Sequence, residues 1–242
     1  MIDVDAQFIL FLKGDVSEDQ LIGLYRTLED DGDFILKGTP DDLMRKSLYR
    51  ENIKANIQWR ESPEVLFFLW NEETDIRHFL LKGRRQFSLW VSDIFFLTSD
   101  TWKRRYDFTP VMCTICDSLD PFFAFGGSDR SVSGEQWIRY ELDGSIDAAM
   151  GFLGDNGGFG LTTMYLDRTL YGAIGERTIG AWAEFDVSCG PHGRLISCRK
   201  DPYDVSISDR VDWEVERNRL FKKEMLPAIR SRFEVEYSNT SP

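Results

Sequence analysis

The residues of this 242-residue chain best suited to metal binding or nucleophilic chemistry are its four cysteines and two histidines. Cys113 and Cys116 stand one helical turn apart, a spacing that can place two thiolates on one ion, and Cys189, His192 and Cys198 are available as further ligands. Cys189 and Cys198 are separated by more than a zinc knuckle allows, and Cys113 and Cys116 fall inside an apolar helical pattern. The preferred reading is therefore four reduced thiols packed as small hydrophobes, with no metal and no cofactor. A thioredoxin-type pair would sit at a helix start, whereas this one lies well within a helix. Cys189 and His192 flank a turn and form the closest thiol–imidazole pairing, the arrangement in which a base activates a nucleophile with its thiol partly exposed. A turn histidine is more often a solvated one, so no catalytic residue is assigned. His78 lies in a strand pattern with no such neighbour.

Two further features invite chemistry. Gly151, Gly154, Gly157, Gly158 and Gly160 make a glycine-rich stretch, but a phosphate cradle follows a strand and opens a helix, with Gly-Lys-Ser/Thr at its end. Here the stretch leads into the extended run Leu161–Leu166, so a mobile connection over 146–160 is expected. Acidic residues cluster at Glu29, Asp30, Asp31 and Asp33, again at Asp41 and Asp42, and along the mid-chain at Asp143, Asp147 and Asp155. The regular spacing of a calcium loop is missing. A solvated face is the ordinary role of such runs, and the functional one is electrostatic steering of a basic protein onto Glu29, Asp30, Asp31, Asp33, Asp41, Asp42, Asp143 and Asp155, with some of the seven tryptophans as anchors.

The elements that would carry these residues can be read from periodicity. Ala6–Leu12 is apolar throughout, as in a strand covered on both faces. A helix follows from Ser17, whose hydroxyl and the Gln20 side chain fit a capping box, with Leu21, Leu24, Tyr25 and Leu28 on its inner stripe. Strands are expected at Phe34–Leu36, Asn52–Trp59, Val65–Trp70, Ile76–Leu81 and Phe87–Leu97. A helical segment capped at Ser99 or Asp100 runs to Asp120, kinked or split by Pro110, with Val111, Met112, Ile115 and Leu119 inward. Phe122–Phe125 is a short strand before a polar loop over Gly126–Gly134. Asp167 caps a helix through about Trp182, and Phe185–Cys189 and Arg194–Cys198 form a hairpin around Gly190-Pro191-His192-Gly193. Asp209 caps a long final helix carrying Val211, Val215, Leu220 and Met225, bent or ended by Pro227.

This order gives an α+β fold: a mixed or antiparallel sheet with helices on one face, in two related sub-units around a continuous core. The division falls near Lys82–Arg85, giving residues 1–83 and 84–242. With 42% hydrophobic and 29% charged residues the chain can bury such a core, which excludes disordered and low-complexity classes. A formal net charge of −12 and a pI near 4.7 oppose binding to phosphate backbones or anionic lipid, so neither nucleic acid nor membrane is expected as a partner. The start lacks a basic segment before its apolar run, and no stretch is long enough to span a bilayer, so a cytoplasmic location is expected.

Residues 87–204 carry a recognisable succession: Cys116-Asp117-Ser118-Leu119-Asp120-Pro121-Phe122-Phe123-Ala124-Phe125, then Leu161-Thr162-Thr163-Met164-Tyr165-Leu166, then Tyr171-Gly172-Ala173-Ile174-Gly175, then Gly193-Arg194-Leu195-Ile196-Ser197-Cys198 before Asp201-Pro202-Tyr203-Asp204. That succession resembles bacterial immunity proteins that neutralise polymorphic or type VI secreted toxins. The resemblance implies a non-enzymatic α+β inhibitor that blocks a toxin, with no catalytic residues. The function expected is thus an intracellular protein-binding module acting on a basic toxin or effector. The alternative is a small metal- or cysteine-dependent hydrolase using Cys189/His192 or Cys113/Cys116.

Overall fold

The structure is a computed structural model describing residues 6–14, 16–17, 19–20, 23–24, 26–27, 35–37, 64–71, 74–81, 86–91, 109–128, 146–156, 163–198 and 211–238. It is α+β, as expected, and resolves into two compact units, Met1–Pro121 and Phe122–Pro242. The expected strand at Asn52–Trp59 and the expected division at Lys82–Arg85 lie outside the described residues.

The first unit is built on an antiparallel sheet. Strands β1 (Ala6–Leu12), β2 (Ile35–Lys37), β3 (Glu64–Asn71), β4 (Thr74–Leu81) and β5 (Gln86–Val91) pair in the order β2-β3-β4-β5-β1. The β3–β4 pairing ends with Asn71 opposite Thr74. Phe8 to Leu12 are all buried, as a continuous apolar run requires of a strand covered on both sides. After β1 the capping box forms as read: the Ser17 amide donates to Gln20 Oε1 at 2.9 Å and the Gln20 amide to Ser17 Oγ at 3.2 Å, and residues 19, 20, 23, 24, 26 and 27 are helical with Leu24 buried.

Helix α1 (Thr109–Leu119) places Pro110 in its first turn, where the missing amide costs no hydrogen bond, so Pro110 does not kink it; the part expected from Ser99 or Asp100 onward lies outside the described residues. Met112, Ile115, Cys116 and Leu119 are buried at helical spacing. The helix stops at Asp120, whose φ of 47° turns the chain and whose amide donates to the Cys116 carbonyl at 3.0 Å. Asp120 Oδ1 also meets Lys13 Nζ at 2.7 Å, a half-buried pair still worth about 1 kcal/mol at most.

The second unit holds β6 (Pro121–Ser128), β7 (Thr163–Asp167), β8 (Phe185–Cys189) and β9 (Gly193–Ser197), antiparallel in the order β6-β7-β9-β8. The strand expected to stop at Phe125 continues through Gly126 to Ser128. The expected mobile connection is corrected more sharply, because Ile146–Asn156 is a helix, α2. Met150 and Leu153 bury one face of it, and Gly154 brings its backbone close to Leu226, where an added Cβ would lie 3.5 Å from Cδ2. Packing here outweighs the roughly 1 kcal/mol that each glycine costs a helix.

The single helix expected after Asp167 is two, α3 (Arg168–Ile174) and α4 (Glu176–Trp182), broken at Gly175, whose φ of 85° is left-handed backbone open to glycine. The final helix runs as α5 (Val211–Leu220), a π-helical turn (Phe221–Met225) and α6 (Leu226–Ser238). Pro227 neither ends it nor removes a needed donor, since the preceding turn has already switched to the wider ladder, with the Leu226 amide reaching the Phe221 carbonyl. Its inner stripe is Phe221, Met225, Ile229 and Phe233, all buried, whereas Val215 is 51% exposed. Phe233 packs edge-on to Phe122 at 4.9 Å between centroids.

Gly193 stands where β9 passes β7, and a Cβ there would collide with the Leu166 carbonyl and the Tyr165 ring and hydroxyl. Gly193→Ala is expected to destabilise the second unit by about 1–3 kcal/mol, the usual cost of overpacking, seen as a lower denaturant midpoint.

Candidate functional site

Among the described residues of the second unit, polar side chains meet at several places, three of them around the β8–β9 hairpin and the helices beside it. The first is exposed. Tyr171 on α3 donates its hydroxyl to Asp186 Oδ2 at 2.9 Å, Arg194 Nε donates to Asp186 Oδ1 at 2.6 Å, and the guanidinium lies 5.3 Å from the Tyr171 ring centroid. The register explains the encounter: Ser188 faces Arg194 and Asp186 faces Ile196, so Asp186 and Arg194 are diagonal neighbours across the hairpin. Partial burial, then the hydrogen bond to Asp186, raises the Tyr171 phenol above its ordinary value, and Asp186 strengthens the hold of Arg194 on its proton.

The second place is interior. Asp167 is buried, caps α3 by accepting the Leu170 amide on Oδ1 at 2.7 Å, and takes Arg232 Nη2 on Oδ2 at 3.1 Å. Arg232 also meets Glu236 at 2.7 Å, and its guanidinium carbon lies 5.8 Å from the Phe122 ring centroid. The third place is a clamp: Arg217 donates to the Trp182 and Cys198 carbonyls and, at 2.9 Å, to Glu184 Oε1. It ties α5 to the end of α4 and to the residue after β9, satisfying carbonyls that the helix and strand leave open.

The residues singled out from sequence sit elsewhere. Glu29, Asp30, Asp31, Asp33, Asp41, Asp42 and Asp143 lie outside the described residues, and Asp155 is on α2. His78 occupies β4, between Phe67 and Leu89. Among the tryptophans, Trp182 is buried and is therefore no anchor for a partner. Cys189, expected to be partly exposed, is buried, and both it and Cys113 are disulfide-bonded, which corrects the expectation of four reduced thiols. His192 is exposed in the hairpin turn and its carbonyl accepts the Arg168 amide at 2.9 Å. Cys116 and Cys198 are buried thiols. Burial, reinforced by Asp117, pushes the Cys116 thiol far up, opposite to what a metal ligand or nucleophile needs. Among the described residues no group of three or more His, Cys, Asp or Glu is placed to hold a metal ion.

Sequence reading named Asp167 as a cap but missed its partners Arg232 and Glu236, and missed Tyr171, Asp186, Arg194 and Arg217 as interacting groups. The Asp186–Arg194 diagonal was recoverable from the hairpin register. Both carboxylate oxygens of Asp186 are taken by neighbouring donors, and so are both of Asp167. Such sites fix surfaces and helix ends in place. Neither a protein-family model nor a curated protein matches the chain.

Three outcomes test this account. Asp167→Ala is expected to lose more than the about 1 kcal/mol of a helix cap, because it also strips the half-buried Arg232 guanidinium of a partner, whereas Asp167→Asn, which keeps the cap acceptor, loses less; thermal unfolding of both variants measures the gap. Cys116 is expected to resist alkylation in the native protein and to react at the rate of unfolding, read by mass spectrometry. The Tyr171 phenol, neutral in the cluster, stabilises the fold fully below the ordinary tyrosine range and ceases to as pH rises through its raised value. Ultraviolet difference titration against Tyr171→Phe should show this one phenol ionising late.

Proposed function

We propose that the protein is a non-enzymatic, intracellular protein-binding module, an immunity-like inhibitor that occludes a basic toxin or effector in the cytoplasm. The observation that carries this reading is the formal net charge of −12, with acidic runs at Glu29–Asp33 and Asp41–Asp42 that concentrate negative potential. A field of that sign raises the encounter rate with a positively charged protein, and aromatic anchors then set the lifetime of the complex. The resemblance of residues 87–204 to immunity proteins and the α+β fold support it. Among the described residues no helix is long and apolar enough to cross a membrane.

The test is co-purification with the products of the neighbouring genes, followed by binding kinetics across a salt series. The association rate is expected to fall steeply as salt rises from about 0.05 to 0.5 M, as the screening length contracts to a few ångströms. Reversal of Asp30, Asp31 and Asp33 to Lys should slow association at low salt by about tenfold or more. Failure to retain any neighbouring product, or retention indifferent to salt and to these reversals, would overturn the proposal.

A further inference from the structure

We draw no further inference here: the strongest candidate, the outer edge of β8 in the second unit, carries nothing, because its flanking carboxylates Glu184 and Asp186 are already paired with Arg217 and Arg194 and nothing in the structure shows what covers it.

Discussion

The contact of Phe233 with Phe122 and Phe123 is the interaction on which the second unit depends. The rings meet at centroid distances of 4.9 and 5.9 Å, and all three side chains are buried. Each contributes about 1.5–3 kcal/mol by leaving water, and the edge-on geometry adds about 0.5–1.5 kcal/mol per pair. Because Phe233 belongs to α6 and the other two to β6, the cluster joins the last element of the unit to its first. Tyr237 extends it by stacking on Phe233 at 5.8 Å. With α6 held there, α2 and α3 find a surface to pack on, and the π-helical turn lies against α4.

That arrangement needs the stripe Phe221, Met225, Ile229 and Phe233 to stay on one side of a long helix. An α-helix advances about 100° per residue, so a repeat of four overshoots by about 40° at each step and would wind the stripe off the core. The π-helical turn at Phe221–Met225 contains the first step, and its wider turn keeps Met225 closer to the face set by Phe221. The same insertion spares Pro227 a conflict with an ordinary ladder. The local irregularity and the straight burial of the stripe are thus one feature with two effects.

The legible parts of the fold were those whose physics is local. Ala6–Leu12, the Ser17–Gln20 box, the Asp167 cap and the Phe185–Ser197 hairpin each follow from a run, a cap or a turn within a few residues. The misread parts answer to distant neighbours. Five glycines between 151 and 160 suggested a loop, yet α2 is fixed by Met150, Leu153 and a close approach of Gly154 to Leu226, 72 residues further along the chain. Arg232 became a partner of Asp167 only once α6 lay beside the start of α3. The oxidised state of Cys113 and Cys189 has no signature in spacing at all.

The electrostatics of the second unit sharpen where a basic partner would be drawn. Asp147, Asp167, Glu184 and Asp186 each face an arginine at 3.1 Å or less, and Glu236 shares Arg232. A carboxylate already neutralised at contact distance adds little field a screening length away, and freeing it to bind elsewhere would cost the native pair. These charges serve cohesion, in the buried Asp167 pair more than in the exposed ones. Under the proposed function the attraction would come from acidic runs whose charge exceeds the basic residues near them in sequence, and Glu29–Asp33 is such a run, flanked by Arg26 and Lys37 alone within several residues. On that proposal, steering and cohesion would therefore fall to different carboxylates, Asp186 and Asp167 serving stability and Asp30, Asp31 and Asp33 association.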